Sequence, residues 1–381
     1  MASHRAGCGW RRGAAALAVA LASLAAAPCA AADATPADRL PLAKMALPPG
    51  FKAELFASGV ADARSLREGR QGTVFVSSRS AGKVYAIVEK DGRRQVKTIA
   101  DKLDMPNGIA FHDGALYVAT ITTITRYDDI ENRLDAPPAP VTIDVKLPDK
   151  RAHGWRYIGI GPDARLYVAV GAPCNICLPP PGFAQIRRMK LDGSAAEVVA
   201  SGVRNSVGFD FDPKDGSLWF TDNGRDWMGD EQPQDELDHV TQAGAQHFGY
   251  PYCHQGTLPD PEFGAGRDCA EFVPPAWLLG PHAAALGMRF YEGSMFPPKY
   301  RGAIFIARHG PWNRSQKYAA DVVVAFPDGR GGIARLEPFL GGLVENNAFL
   351  GRPVDVLVRK DGSLLVSDDL NGAVYRISIA P

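Results

Sequence analysis

Residues 202–231 read GVRNSVGFDFDPKDGSLWFTDNGRDWMGDE. In this stretch a turn at Asp215-Gly216 leads into the β-type triplet Leu218-Trp219-Phe220, and Asp-Gly pairs favour hairpin turns because Gly tolerates positive φ. Arg204 and Asn205 lie just ahead of the strand, and a loop rich in Gly and Asp follows it. Polar loops at the rim of a sheet are where binding and catalytic groups usually lie. The stretch therefore predicts a β unit with a site for a charged ligand at its edge.

Similar triplets recur along the chain, most of them after a tight turn. They are Val74-Phe75-Val76, Leu116-Tyr117-Val118, Leu166-Tyr167-Val168, Leu218-Trp219-Phe220, Ile304-Phe305-Ile306 and Leu364-Leu365-Val366. Their spacing is close to the length of a propeller blade, about 40 to 50 residues, except for one long interval between Leu218 and Ile304. Long amphipathic helical patterns are scarce. We therefore expect an all-β fold, a six-bladed β-propeller with an inserted loop region between blades.

The amino-terminal segment has the pattern of an export signal. Arginines precede an apolar run rich in Ala and Leu, which ends in an Ala-x-Ala-type cleavage site. We expect a signal peptide over residues 1–32, an extension over 33–44 and the propeller domain over 45–381. The apolar run is too short for a convincing membrane span, so the mature chain is expected to have none and to be periplasmic or secreted. Arg11-Arg12 leaves open whether the general or the twin-arginine export route is used.

The cysteines that remain after removal of the signal form an even set of four, Cys174, Cys177, Cys253 and Cys269. In an oxidising compartment this count favours two disulfides. Cys174 and Cys177 could instead be a redox pair or half of a zinc site, but no second CxxC follows and the segment is rich in proline. A Cys253–Cys269 bond would pin the long insertion.

The charge balance narrows the class of ligand. The chain has 42 basic and 42 acidic residues, so nothing indicates binding to nucleic acid or to an anionic membrane. Since loops at one end of a propeller channel converge, distant residues can form one site for a small molecule. His153 is a candidate proton acceptor there, because histidine is the natural base near neutral pH. Alone, however, it is weak evidence, because the chain has eight histidines and most histidines are structural or surface residues.

Several motifs in order resemble the soluble pyrroloquinoline-quinone (PQQ)-dependent sugar dehydrogenases over residues 45–379. They are His153 with Gly161-Pro162-Asp163, Gly202-x-Arg204-Asn205-x-x-Gly208, Asn223-Gly224, Gly229-Asp230-Glu231 and Gly249-Tyr250-Pro251. The chain is most similar to the sorbosone dehydrogenase-like members, through Cys174-Asn175-x-Cys177 and His309-Gly310-x-Trp312-Asn313-Arg314.

The resemblance implies a quinone cofactor and a Ca²⁺ ion at the channel mouth. It makes His153 the general base and Arg204 the cation that stabilises negative charge on the quinone. Asn205, Arg314 and Arg352 are the implied polar cofactor contacts, with Trp312 stacking on the ring system. The backbone carbonyls of Gly224 and Arg225 are the implied calcium ligands, and Asp230 supports the ion through water.

Departures from the glucose-oxidising members leave the substrate open. Ala152 replaces the acidic residue before the base, and the loop between Gly224 and Asp230 is one residue longer. We expect a PQQ- and calcium-dependent oxidoreductase acting on an aldose or a sugar-derived aldehyde such as sorbosone, with a cytochrome or a quinone as electron acceptor. The alternatives are a calcium-dependent lactonase of the gluconolactonase type and a non-catalytic binding propeller.

Overall fold

The computed structural model describes residues 39–380, and the expected all-β propeller of six blades is confirmed. The expected signal peptide and residues 33–38 lie outside this range. The helices with both ends inside it are single 3-10 turns, at Pro41–Lys44, Ile130–Asn132, Cys269–Glu271 and Pro298–Tyr300. Over the described residues no helix has the length and apolar character needed to cross a bilayer.

Each blade is an antiparallel sheet that runs from an innermost to an outermost strand. Strand β1 (Phe51–Ser58) comes first in the chain and belongs to blade 6. Blade 1 contains β2 (Leu66–Glu68), β3 (Val74–Ser77), β4 (Val84–Lys90) and β5 (Arg93–Ala100). Blade 2 contains β6 (Gly108–His112), β7 (Ala115–Ala119), β8 (Ile124–Tyr127) and β9 (Val141–Ile143). Blade 3 begins with β10 (Ile158–Ile160), β11 (Leu166–Val170), β12 (Gln185–Met189) and β13 (Glu197–Ser201).

The other three blades follow the same order. Blade 4 contains β14 (Phe209–Phe211), β15 (Leu218–Asp222) and β16 (Gln234–His239), and after β17 (Gln246–His247), β18 (Cys253–His254) and β19 (Leu258–Pro259) it is completed by β20 (Trp277–Pro281). Blade 5 contains β21 (Ala285–Phe290), β22 (Ile304–His309), β23 (Ala320–Pro327) and β24 (Ile333–Leu340), followed by the small hairpin of β25 (Val344–Glu345) and β26 (Ala348–Phe349). Blade 6 contains β27 (Pro353–Val358), β28 (Leu364–Asp368) and β29 (Ala373–Ile379).

The ring is closed by pairing between the two ends of the described chain. Strand β1 runs antiparallel to β29, with Phe51 opposite Ile379 and Ser58 opposite Ala373. Blade 6 therefore takes its outermost strand from the beginning of the chain and its other three from the end. This pairing also satisfies the backbone groups of what would otherwise be two exposed edges.

All six predicted triplets form the second strand of a blade, and their sequence explains why the blades pack. Phe75 packs toward blade 2, while its neighbours Val74 and Val76 pack toward blade 6. Alternate side chains of a strand point to opposite faces, so a strand buried on both faces must be apolar at every position. The hairpin that leads into β7 has the predicted tight turn, with positive φ at Asp113 (53°) and Gly114 (80°).

The inner strands approach one another closely at glycines. A Cβ added at Gly208 would overlap the Leu286 carbonyl oxygen, and one added at Gly287 would overlap Asp355. Only glycine lets two backbones come this close. The motif glycine Gly208 thus sets the spacing between blades 4 and 5.

The insertion lies inside blade 4 and not between blades, which corrects the expected position. After β16 the chain crosses to blade 3, where β17 pairs in parallel with the outer strand β13, and then returns to form β20. The detour covers the exposed edge of blade 3, a position that is otherwise open to unwanted pairing. Both expected disulfides are present, Cys174–Cys177 and Cys253–Cys269, and the second closes this insertion.

Candidate functional site

The site residues lie in two kinds of loop that end on the same face of the ring. One kind follows the second strand of a blade, and the other precedes the first strand. Together they surround a cavity of about 290 Å³. Its charged and aromatic lining consists of Arg64, Arg79, Arg204, Arg352, His153, His282, His309, Asp226, Asp235, Trp155 and Trp312. The cavity therefore draws on widely separated parts of the sequence, as expected for a propeller.

His153 is held in its neutral form at this cavity. Its Nδ1 lies 2.9 Å from the carbonyl oxygen of Ala172. A carbonyl can only accept, so Nδ1 carries the hydrogen and Nε2 keeps its lone pair. Burial, reinforced by the nearby Arg204 charge, lowers the pKa of His153 to about 3. Its φ of 46° is unusual for a residue other than Gly, and Gly171 leaves the space for it.

Arg204 is buried beside His153 with its guanidinium fixed by three hydrogen bonds. Nε donates to the Asn175 carbonyl oxygen at 3.1 Å, Nη2 donates to Asn175 Oδ1 at 2.7 Å, and Nη1 donates to the Asn223 carbonyl oxygen at 2.9 Å. The Asp226 carboxylate is 3.6 Å away. Because a guanidinium has five N–H groups, two remain for a ligand.

Asn205 is placed beside Arg204 by a shared backbone contact. The Asp222 carboxylate accepts from the Arg204 amide at 2.7 Å and from the Asn205 amide at 2.6 Å. The Asn205 side chain lines the cavity and makes no hydrogen bond with the residues that the structure describes. The predicted pair Arg204 and Asn205 is therefore presented to the cavity by one carboxylate.

Three more arginines lie at the cavity, and the sequence indicated only one of them. Predicted Arg352 donates from Nε to the His309 carbonyl oxygen at 3.0 Å and from Nη2 to the Gly310 carbonyl oxygen at 2.8 Å. Arg64 donates to Asp369 Oδ2 at 3.0 Å. Arg79 lies over the Trp155 ring at 5.3 Å, and its Nε is buried without a hydrogen-bond partner in the described chain.

Arg64 and Arg79 were missed because no local motif marks them, and the motif that begins at His309 did not indicate a role for that histidine. His309 Nε2 is 2.8 Å from Asp369 Oδ1, so a second histidine at the cavity is paired with a carboxylate. The usable signal is position: each of these residues lies next to the end of a second strand or just ahead of a first strand. Applied to every blade, that rule would have found them.

The predicted calcium residues are not all at the cavity. Gly224 lines it, and its amide donates to Asp235 Oδ1 at 3.0 Å. The Arg225 side chain turns away to Asp260 at 2.5 Å and Glu262 at 3.1 Å. The Asp230 carboxylate accepts from the Ser315 amide at 3.1 Å and does not line the cavity.

The carboxylates at the cavity therefore belong to residues other than Asp230. Asp226 and Asp235 line it, next to Gly224. Within residues 39–380 no group of three or more His, Cys, Asp or Glu side chains could hold a metal. A cation here would depend on backbone carbonyls, as the resemblance implied, with few side-chain ligands.

The segment from His309 to Arg314 divides between two roles. Trp312 lines the cavity and is 71% exposed. Arg314 does not line it and instead donates to the Asp230 carbonyl oxygen at 2.6 Å and to Glu231 at 2.6 Å. Arg314 thus links the loops of blades 4 and 5, and its expected contact with the cofactor stays a prediction. The roles of the predicted residues in chemistry remain predictions.

Fold and cavity together define a six-bladed propeller with an arginine-rich cavity on its loop face. The chain belongs to the TrAA12-like family, whose model matches residues 45–380. It is 33% identical to an uncharacterized protein of Borreliella burgdorferi, over 87% of this chain and 90% of that protein.

Solved structures share the architecture at low identity. The PQQ domain of Coprinopsis cinerea pyranose dehydrogenase in its holo form has a TM-score of 0.74 at 21% identity, covering 88% of this chain and 97% of that one. The family AA12 carbohydrate-active enzyme of Trichoderma reesei has a TM-score of 0.75 at 19% identity, with coverage of 88% and 98%. PQQ-bound aldose sugar dehydrogenase of Streptomyces coelicolor has a TM-score of 0.63 at 18% identity, with coverage of 88% and 100%. These likenesses support the fold.

Proposed function

We propose that this protein is a PQQ- and calcium-dependent oxidoreductase that acts on an aldose sugar or a sugar-derived aldehyde. The observation that carries the proposal is a histidine with a free Nε2 lone pair in one cavity with four arginines. Family membership supports it, as do structural neighbours described as PQQ-bound or as a calcium structure. The expected signal peptide supports a periplasmic or secreted protein with residues 45–381 as its catalytic domain.

The residues at the cavity fit a planar quinone with three carboxylates. Arg64, Arg79, Arg204 and Arg352 supply the positive charge, and guanidinium groups can bind carboxylates in bidentate fashion. The Nε of Arg79, buried without a partner in the described chain, is a donor that such a ligand would satisfy. When bound, the quinone supplies a hydride acceptor. Asn205 would add a hydrogen bond, and Trp312 would offer an exposed ring face.

The donors also fit calcium, which prefers oxygen ligands. The carbonyl of Gly224 stays our first choice of ligand, with that of Arg225 beside it. Asp226 lines the same part of the cavity and would bring the negative charge that Asp230, bonded to Ser315, does not. This assignment explains how a site with few carboxylates could still hold a divalent cation.

In the proposed reaction His153 takes the proton from the substrate hydroxyl at Nε2. The Ala172 carbonyl fixes the ring and the tautomer, so that the lone pair is on Nε2 without a preceding rearrangement. Burial keeps the imidazole neutral at physiological pH, and its pKa of about 3 makes protonation before reaction negligible. Arg204 supplies positive charge where negative charge develops. The electrons would then pass to a second acceptor, a cytochrome or a quinone.

The deciding experiment is calorimetric titration of the apo-protein with PQQ and Ca²⁺, followed by a dye-reduction screen of sugars and sugar aldehydes. We expect tight quinone binding, and we expect His153→Ala to keep that binding while losing roughly two to four orders of magnitude in rate. Absence of quinone binding under every metal condition would overturn the proposal. Lactone hydrolysis without quinone would identify a lactonase instead, and binding without turnover a non-catalytic propeller.

A further inference from the structure

Arg204 is held mainly by one residue of a very short disulfide loop. Of the three hydrogen bonds that its guanidinium donates, two end on Asn175, at the carbonyl oxygen (3.1 Å) and at Oδ1 (2.7 Å). Asn175 Oδ1 also accepts from the Asp226 amide at 3.0 Å. Asn175 therefore fixes both the orientation of the arginine and the start of the loop that carries Asp226.

The orientation of the Asn175 amide is costly and is explained by Arg204. Its Nδ2 is buried and has no hydrogen-bond partner among the described residues. Turning the amide over would place this NH₂ group against the N–H groups of Arg204 and Asp226, which are donors too. Leaving a buried donor unpaired is unfavourable. The bonds that Oδ1 accepts from Arg204 and Asp226 therefore outweigh the cost of the unpaired Nδ2.

The loop that carries Asn175 has no strand partner of its own and is closed by a covalent bond. Cys174 and Cys177 are joined across it. Apart from the disulfide and the bonds that Asn175 accepts from Arg204 and Asp226, Tyr250 supports the loop: the Cys177 amide donates to the Tyr250 hydroxyl oxygen at 3.3 Å, and that hydroxyl donates to the Asn175 carbonyl oxygen at 3.4 Å. Without the disulfide, the flanks of Asn175 would be held mainly by these two long hydrogen bonds to one phenol.

We propose that Asn175, kept in place by the Cys174–Cys177 disulfide, is the residue that positions Arg204 toward the cavity. The affinity of the cavity for an anion then depends on the disulfide. Asn175 does not line the cavity, and it acts through Arg204. The identity of the anion, the quinone with its carboxylates, rests on the proposed function. The positioning itself does not.

The first test uses the apo-protein and needs no cofactor. With ¹⁵N-labelled arginine, the Nη2–H signals of Arg204, which report its bond to Asn175 Oδ1, are identified by their absence in Arg204→Lys. We expect slow exchange with water in the oxidised protein. Asn175→Ala should bring fast exchange, whereas Asn175→Asp, which keeps an acceptor at Oδ1, should retain protection. An Arg204 signal unchanged in Asn175→Ala would overturn the proposal.

The second test separates the two disulfides. A dithiol gives two electrons and two protons to an S–S bond, yielding two thiols and its own disulfide. Treated in a Cys253→Ser/Cys269→Ser background, the protein can lose only the Cys174–Cys177 bond. We expect loss of Arg204 protection on reduction and a rise in the dissociation constant for PQQ of roughly tenfold to a hundredfold, as for one charge-assisted hydrogen bond.

The controls keep the outcomes distinct. The unreduced Cys253→Ser/Cys269→Ser protein should bind PQQ like the wild type, since neither cysteine contacts Asn175 or the guanidinium by hydrogen bond. If Asn175→Ala or reduction lowers the melting temperature while Arg204 protection and quinone affinity stay the same, the loop is merely structural and the proposal is wrong. If the wild type binds no quinone, the proposed function fails, and the exchange experiment still decides the positioning.

Discussion

At the scale of single residues, His153 shows how its surroundings select one protonation state. The Ala172 carbonyl binds the hydrogen on Nδ1, burial disfavours a charged ring, and the Arg204 charge disfavours it further. All three effects act on the ground state, before any ligand arrives. The lone pair on Nε2 is therefore available over the whole neutral range.

Removing the Arg204 charge should raise the pKa of His153. Because burial is the larger cause of the shift and Arg204 the second, Arg204→Met should move the pKa up from about 3 without restoring the ordinary value of 6.5. The measurement is an NMR titration of the His153 ring in the apo-protein. A midpoint identical to that of the wild type would contradict this assignment of causes.

The lowered pKa of His153 also makes the stability of the folded protein depend on pH. The pKa of His153 is lower in the folded state than in the unfolded state, so between pH 6.5 and about 3 the unfolded chain binds the extra proton. The contribution of His153 is fully favourable above pH 6.5 and is lost as the pH falls toward 3. His153→Asn should therefore lose less stability than the wild type on acidification, as denaturation at pH 7 and pH 4 would show.

The sequence predicted most of the cavity residues that belong to motifs, with His309 as an exception, and did not predict those outside motifs. His153, Arg204, Asn205 and Arg352 lie at the cavity as expected. Arg64 and Arg79 lie in polar loops next to strands of blade 1 and belong to no motif, and only the folded ring brings them to the same cavity as the others. Arg314 lies away from the cavity lining, because Asp230 and Glu231 of the neighbouring loop bind its guanidinium, and its motif could not show this contact.

At the scale of elements, the second strands were predictable because burial on both faces demands apolar residues at every position. The path of the insertion was not, since two-residue contacts such as β13 with β17 carry no sequence pattern. The close approach of inner strands was also hidden, although Gly208 stood in a recognised motif. A glycine in a motif indicates that its neighbours pack too closely for a side chain, but it does not identify those neighbours.

Gly208→Ala should destabilise the protein because its Cβ would overlap backbone of blade 5 at Leu286 and Gly287. We expect a loss of about 1 to 3 kcal/mol in the free energy of unfolding, the usual cost of overpacking. Denaturant titration measures it. Gly341→Ala is the matched control, as its Cβ would meet no atom within 4 Å, and it should be neutral. Equal stability of the two variants would contradict the close contact.

At the scale of the whole molecule, the ring is closed by the pairing of β1 with β29, together with packing between blades 1 and 6. Deleting β1 would leave the outer edge of blade 6 unpaired and remove Phe51, whose ring packs edge-on against Phe296, Tyr300 and Phe339. We expect the truncated chain to lose cooperative thermal unfolding in calorimetry. A synthetic peptide of sequence FKAELFAS should restore part of it by adding a strand to that edge. Cooperative unfolding at the wild-type midpoint would show that this pairing is dispensable.

The pairing of β1 with β29 also sets an order of events in time. During synthesis β1 leaves the ribosome before any other strand of the ring, yet its partner is the final strand to appear. Such a long-range contact is slow to form, because the chain between the two strands loses conformational entropy before the contact stabilises it. Strand β1, which has apolar positions, thus stays unpaired while the other five blades are synthesised. The nascent protein should be most vulnerable to aggregation in that interval, and a chaperone that covers extended segments would protect it there.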